Sequence, residues 1–333
     1  TRINDGFCRV VLEEFVAHGA PKEILTAAKP HIGTDLLRKV VVAIRQEIVA
    51  MEGEVRFHTA AEDIITDNGK LFGIITNGEE IPCNCLILAP GNAARPLFTC
   101  SMERGIAIEA KPFSVGARIE HLQEAIDHTM YGDYAGHPKL GHAEYQLSER
   151  ETDTGRAVYT FCMCPGGSVV AAASETGRAV TNGMSLHARD GENANSALLV
   201  SVNPGDFDSD DVLAGVEFQR RYERAAFLAG GGDYRAPAQR VGDFLKGVPS
   251  TSAGDVEPTY RPGVSPANLG TALPDFAFES MREALPQMGR LLRGFDHPDA
   301  VLTGVETRSS APVRIERGAD GCANIGGLYP TGE

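Results

Sequence analysis

The 333-residue chain contains no tryptophan, and the motifs that would assign a chemistry outright are missing as well. There is no Walker A loop, no His-Glu-x-x-His, no Gly-x-Ser-x-Gly and no Gly-x-Gly-x-x-Gly. Phosphate-loop, zincin and hydrolase-elbow readings therefore lack their fingerprints. No apolar run approaches the roughly 18–20 residues that span a bilayer, and Thr1–Gly6 carries no signal-peptide core. Basic side chains are in deficit: Lys plus Arg number 31 against 45 Asp plus Glu, a formal net charge of −14. That sign argues against nucleic acid and anionic membrane as main partners, since both need a basic face. The 7 cysteines are too sparse, and odd in number, for a secreted disulfide framework. A reducing, cytoplasmic setting is expected. The chain does not begin with Met, so residues are expected to precede Thr1. Neither an internal repeat nor a low-complexity tract is present.

What is there suits a folded chain, with 42% hydrophobic and 23% charged residues. The length predicts two domains of about 100–200 residues each. Phe7, Val11, Phe15 and Val16 recur at helical spacing until Gly19-Ala20-Pro21. A short helix over Lys22–Ala28 precedes Pro30. Thr34 as N-cap, with Asp35 at the positive end of the dipole, opens the next helix. Leu37, Val41, Ile44, Ile48 and Met51 form its apolar stripe, and Gly53 at C′ is its stop.

The texture then changes. Glu54–His58, Glu62–Thr66, Leu71–Thr76 and Glu79–Asn84 read as strands, with hairpin turns at Asp67-Asn68-Gly69 and Asn77-Gly78. Cys85–Ala89 is apolar without alternation, the pattern of a strand buried on both faces in a parallel sheet. It ends at Pro90-Gly91, and a helix from Ala93 to Arg104, capped by Asn92 and closed by Gly105, follows. Beyond Ile106, strand candidates lie at Phe113–Ile119, Val158–Met163, Val169–Ala173 and Leu198–Val202. Helices are expected over Asp210–Leu228 and Phe276–Leu292, the second broken or kinked at Pro286. Ser250–Asn268 reads as an ordered loop. The fold class is α/β, with α+β character in the second part.

Candidate chemistry is spread thinly. Cys83/Cys85 and Cys162/Cys164 are Cys-x-Cys pairs whose members share one face of a strand. Structural zinc usually has two to four residues between paired cysteines, so no metal is expected, and Cys83 and Cys85 read as buried free thiols. For Phe161-Cys162-Met163-Cys164-Pro165-Gly166-Gly167 two readings stay open: core packing, or a tight turn where backbone approaches a ligand. Ala188–Ser196 is a polar turn or a substrate loop. Glu306–Ile315 holds two arginines and several hydroxyls that suit a carboxylate or phosphate, or else form an amphipathic strand with surface arginines.

Four stretches carry a family resemblance: Lys29-Pro30-His31-Ile32-Gly33-Thr34-Asp35, Tyr159–Gly167, Ala188–Leu199 and Glu306–Ile315. Together with the element order they resemble a bacterial family of largely uncharacterised FAD-dependent dehydrogenases, within the glutathione-reductase-like flavoprotein superfamily. The resemblance covers nearly all the chain. It implies an FAD/NAD(P)-binding, Rossmann-like domain with a β-meander, in two parts at residues 1–105 and 301–333. An inserted substrate domain on a mixed or antiparallel sheet is implied at 106–300.

In such flavoproteins Leu86-Ile87-Leu88-Ala89-Pro90-Gly91 matches the buried strand after the meander, with Pro90 in place of the usual small or branched residue. Gly332-Glu333 matches a glycine–acid pair whose carboxylate meets the ribityl hydroxyls, and the backbone near Val55 matches an adenine contact. The implied cofactor residues are Val55, Ala89, Gly91, Asn92, Gly332 and Glu333. The implied cofactor is FAD, with NAD(P) a candidate electron donor or acceptor. The substrate side is expected at Arg308, Glu306, Cys162, Cys164, Arg118 and His121, with Arg308 binding an anionic substrate or negative charge on reduced flavin. The geometry of the cysteine pair is poor for a disulfide.

The leading βαβ unit with its glycine fingerprint, and the glycine-rich turn and helix after the glycine–acid pair, are not in the sequence. A form shortened at both ends of the cofactor domain is therefore expected, and its hold on FAD is open. The expected function is FAD-dependent oxidation or reduction of a small organic molecule by a soluble, cytoplasmic protein of undetermined oligomeric state. The alternative is a non-catalytic ligand-binding or interaction module derived from a flavoprotein.

Overall fold

A computed structural model describes residues 6–150, 153, 155–207 and 209–332. Helix α1 (Gly6–Ala17), a 3-10 turn at Lys22–Leu25 and helix α2 (Thr34–Ala50) open the chain and meet around Ile24 and Val40. The residue before α2 is Gly33, so Thr34 is its first helical residue and not its cap. The helix ends with Glu52 in the left-handed region (φ 64°), and the Gly53 N–H reaches the Ile48 carbonyl at 2.8 Å. Glu52 therefore takes the C′ place expected of Gly53. The strand expected at Glu54–His58 does not form among the described residues. An extended segment becomes a strand only where a neighbour completes its ladder.

The meander does form, from β1 (Ala61–Asp67), β2 (Lys70–Thr76) and β3 (Glu79–Pro82). Both turns carry the positive φ at two successive residues that a two-residue hairpin needs, at Asn68-Gly69 and Asn77-Gly78. Strand β4 (Leu86–Leu88), helix α3 (Arg95–Glu103) and β5 (Ile108–Ala110) follow. The expectation of burial on both faces is corrected here. Leu88 is buried, but Ile87 is 67% exposed and Cys85 is exposed, because only one side of β4 is covered. The residue preceding α3 is Ala94, so Asn92 is not its cap.

The rest of the chain builds one large sheet. Its strands are β6 (Phe113–Leu122), β7 (Ser148–Glu149), β8 (Val158–Cys164), β11 (Asn193–Val202), β12 (Ala236–Arg240), β13 (Val264–Pro266) and β14 (Val301–Glu306). A hairpin of β9 (Gly167–Ala171) and β10 (Thr181–Ser185) lies beside it. Helices α4 (Gln123–Tyr131), α5 (Ala214–Ala229), α6 (Val241–Lys246) and α7 (Asp275–Leu291) complete this part, and α7 runs through Pro286 unbroken. The seven strands lie in the order β13-β12-β14-β6-β11-β8-β7, antiparallel except for the parallel β12–β13 pair. Strand β15 (Val313–Ile315) then pairs with β5, and β16 (Leu328–Pro330) pairs in parallel with β4.

The return to the first part was expected at residue 301. Instead β14 sits between β12 and β6, inside the large sheet. The chain leaves that sheet only after Glu306, because residues 301–306 find their ladder partners there.

The central strand β6 explains how the sheet packs. Phe113, Val115, Ala117 and Ile119 point to one face and join Met281, Ala284, Leu285 and Met288 of α7 in the main core. Ser114, Gly116, Arg118 and Glu120 point to the other face and are buried as well. Gly183 of β10 is pressed onto that face: a Cβ there would lie 2.4 Å from Arg118 Nη1. Among the described residues no helix is long and apolar enough to cross a membrane.

Candidate functional site

Strands β4 and β16 run parallel, so their carboxyl ends open on the same side. Parallel strands in α/β folds leave a crevice there, outside the sheet, where ligands bind. A cavity of about 400 Å³ occupies this place, within the range of about 300–1,000 Å³ typical of ligand pockets. Ala89 to Asn92 leave β4 along one wall, and Thr331-Gly332 leave β16 along another. Ser309, Ser310 and Ala311 form a third wall, and Phe98, Val313 and Ile315 supply apolar surface. Gly91 (φ 66°) and Gly332 (φ 102°) hold conformations that a side chain would strain. Asn92 Nδ2 donates to the Arg308 carbonyl at 2.9 Å and so ties the first wall to the third. Arg317 donates to the Pro330 carbonyl at 3.1 Å and to the Gly332 carbonyl at 3.0 Å, which fixes the end of β16 and sets a cation at the rim.

Ala89, Gly91, Asn92 and Gly332 are thus brought together. Val55 is exposed in the segment after α2 and does not line the cavity. Glu333 lies outside the described residues. Sequence reading missed Phe98, Ser309, Ser310 and Arg317 as wall residues. The serines stood inside a stretch marked for its hydroxyls but were not singled out, and nothing local distinguishes Arg317 from a surface arginine.

A second constellation lies on the polar face of the large sheet. Arg118 Nε donates to Glu306 Oε2 at 2.5 Å and Nη2 to Glu306 Oε1 at 3.1 Å. Nη1 reaches the Cys162 carbonyl at 2.9 Å and Asn195 Oδ1 at 3.2 Å, and Nη2 reaches Asn182 Oδ1 at 2.9 Å. Burial works against the Arg118 charge, and Glu306 more than offsets it, so the guanidinium is held above its ordinary value. Burial likewise drives Glu306 upward while Arg118 pulls it back. Two parallel N–H···O contacts need a carboxylate, so the pair is ionised. Glu120, on the same face, is pushed up by burial and accepts from Thr259 Oγ1 at 2.5 Å and Asn193 Nδ2 at 3.1 Å. The stretch 193–196, read as a turn or loop, is buried strand.

Cys162 and Cys164 stand beside this pair as free thiols. Cys162 is exposed and Cys164 half-buried, yet partial desolvation pushes both thiols above the ordinary value, against the pull of Arg118. Neither is a ready thiolate. At neutral pH both are expected to react with iodoacetamide more slowly than free cysteine does; faster labelling at either position would contradict this. The turn at Pro165-Gly166-Gly167 is as tight as expected, but the approaching backbone belongs to the chain itself. A Cβ on Gly166 would sit 1.7 Å from the Arg189 carbonyl.

His121 is not brought to this group. It sits on the opposite face, against Phe295 and Tyr145, with Nε2 donating to the Phe295 carbonyl at 2.8 Å. Burial lowers it to about 4, against that hydrogen bond, so the ring is neutral at pH 7.

Arg308 is also elsewhere. Its Nε and Nη2 donate to the two oxygens of Glu223 on α5, at 3.0 and 2.9 Å, and its Nη1 donates to Ser174 Oγ. Arg95, at the start of α3, grips the same carboxylate at 2.6 and 3.0 Å and also pairs with Glu175. Among the described residues one group gathers three potential metal ligands, Glu14, His18 and Glu47. There His18 Nδ1 meets the Glu14 carbonyl at 2.7 Å and Nε2 pairs with Glu47, which an imidazolium satisfies without a metal.

The fold and the cleft define an α/β protein with a crevice at the ends of paired parallel strands. The sequence model of the family described as FAD-dependent protein, C-terminal domain-like, matches residues 112–309, and the chain belongs to that family. It is 49% identical over 334 residues to an uncharacterised protein of Clostridium beijerinckii, covering 100% of this chain and 63% of that protein. The chain thus spans under two thirds of the length of the curated relative it matches. Among solved structures, an oxidoreductase from Methanosarcina mazei aligns at 12% identity and a TM-score of 0.33, over 90% of this chain and 49% of that one. CtdE, in complex with FAD and a substrate, aligns at 14% identity and a TM-score of 0.23, over 54% of this chain and 37% of that one.

Proposed function

We propose that the cleft between β4, β16 and the Ser309–Ala311 wall receives the flavin end of FAD. The protein is then a flavoprotein oxidoreductase acting on a small organic substrate. One observation carries this reading: in a chain of an FAD-dependent family, Ala89–Asn92 and Thr331-Gly332 converge from two parallel strands onto one cavity. The residues present fit such a group. Phe98, Val313 and Ile315 offer apolar surface to a flat ring, the two glycines let backbone approach, and Arg317 complements negative charge. FAD bound there would supply hydride or electron exchange.

The chain's own part is to orient and to shield. Residues through 105, with those beyond Glu306, make the cofactor side, and 106–306 make the substrate side. Ser309 Oγ donates to the Ser114 carbonyl at 3.3 Å, which joins the cleft wall to the strand carrying Arg118. Because the donors of Arg308 are committed to Glu223 and Ser174, the anion-binding role passes to Arg317. Arg118 and Glu306, both buried, act as a fixed scaffold inside the substrate side and not as proton carriers, since their polar atoms face each other.

Titration of the purified chain with FAD tests the reading. The visible absorption bands of a bound flavin should appear and flavin fluorescence should change saturably. Gly91→Val places a β-branched residue at φ 66°, so the affinity should fall about tenfold or more. A chain that stays colourless with excess FAD sinks the placing of the flavin in this cleft for the chain as it stands.

A further inference from the structure

We infer that Glu223, which does not itself line the cleft, is the positioning residue that holds two of the cleft walls in register. The carboxylate is fully buried on α5 and collects five donor contacts. Arg95 supplies two of these and follows the wall residue Asn92 by three positions. Arg308 supplies two more and immediately precedes the wall residue Ser309. The fifth is the Thr307 hydroxyl, at 2.9 Å.

One turn earlier on the same helix face, Gln219 repeats the arrangement. It accepts from Arg95 Nη2 at 3.0 Å and donates to the Thr307 carbonyl at 2.7 Å. One helix of the substrate side therefore grips both loops, and the Asn92–Arg308 hydrogen bond closes the ring between them.

The charge arithmetic makes Glu223 the centre. Two guanidiniums share it, and Arg95 also reaches Glu175, which is further occupied by Arg220 and Arg178. If the Glu223 charge is removed, two buried cations face each other across a neutral group that can accept on only one atom. Arg95 and Arg308 then have to separate. Their separation moves Gly91-Asn92 and Ser309-Ser310 apart, which is the direction that opens the cleft. The consequence for cofactor binding rests on the reading of the cleft as an FAD site; the coupling of the two walls does not.

The test uses the whole chain with Glu223→Gln, Glu223→Asp and Gln219→Leu. Backbone hydrogen exchange without ligand is followed at residues 89–92 and 309–311, with the β1–β3 meander as internal reference, and FAD affinity is read by fluorescence. Glu223→Gln should speed exchange in both loops about tenfold or more relative to the meander, and weaken FAD by a similar factor. Glu223→Asp, which keeps the charge, should restore part of both. Exchange that rises equally everywhere, or rises at neither loop, overturns the inference and leaves Glu223 a general stability residue. Should Glu223→Gln fail to fold, Gln219→Leu decides by the same exchange comparison, since it removes the neutral half of the grip. A wild-type chain that takes up no FAD defeats the cofactor reading alone, because the exchange result still stands.

Discussion

Arg118→Ala is expected to destabilise the chain by about 3–5 kcal/mol, the cost typical of removing one member of a buried ion pair. The size follows from what is left behind. Glu306 is buried, and its carboxylate contacts come from Arg118. Without the guanidinium it must carry an uncompensated charge in the interior or take up a proton. The carbonyl of Cys162 and the amide oxygens of Asn182 and Asn195 lose a donor in the same step. Urea unfolding followed by two probes would read the loss. The double variant Arg118→Met with Glu306→Leu should recover much of it, because apolar side chains of similar volume avoid the desolvation cost. A loss under about 1 kcal/mol for Arg118→Ala would place the pair in the class of solvated surface bridges and contradict the burial described above.

The second large effect is a stepwise loss of stability in acid. His121 is lowered from 6.5 to about 4, mainly by burial, with the Phe295 hydrogen bond opposing. A base whose folded value is depressed contributes stability that is complete above 6.5. Below that the unfolded chain takes a proton that the folded chain refuses, and the contribution drains away as pH falls to about 4. The difference corresponds to about 3 kcal/mol.

Glu223 follows at lower pH. Burial pushes its carboxyl up, but Arg308 and Arg95 override this and hold it at about 2 against an ordinary 4.5. Its contribution, again about 3 kcal/mol, is present above 4.5 and lost as pH falls toward 2. The urea midpoint measured from pH 7.5 to pH 4 should therefore decline. His121→Gln should flatten that decline, leaving the steeper loss below 4.5 in place. An identical slope in both proteins would mean that His121 is already solvated or already charged at neutral pH.

Much of the architecture was legible because it is local. The α2 stripe from Leu37 to Met51 and the Asn68-Gly69 and Asn77-Gly78 turns depend on residues a few positions apart. Helical period and positive φ at asparagine and glycine are properties of a short segment. The Ala89–Asn92 loop and Gly332 were legible in another way, through a family pattern that the structure gathers around one cleft. The errors share a cause. Glu54–His58 has strand character but no neighbouring ladder, and Ile87 lies in an apolar run but on an uncovered face. Whether a strand forms, and which of its faces is buried, depends on what else packs there.

Strand β6 separates the two kinds of information most clearly. Its alternation, Phe113-Val115-Ala117-Ile119 against Ser114-Gly116-Arg118-Glu120, is written in the sequence and establishes which residues share a face. Alternation of that kind usually means one dry face and one wet one. Only the tertiary structure, with Gly183 of β10 pressed against Arg118 and Thr259 reaching Glu120, shows that the polar face is dry as well.

The pairing with Glu306 needed a further long-range fact. A register shift between Gly304 and Glu306 turns Glu306 onto the Arg118 face and leaves Val305 in the apolar core. Simple period-two counting from Thr303 would have placed them the other way round. The same holds for Arg308, which looked available for a ligand until α5 brought Glu223 to it across 85 residues. Periodicity, turns and net charge were determined by the sequence itself, because their physics is local or additive. Partners were decided by the fold, because a charge pairs with whatever the chain brings within reach.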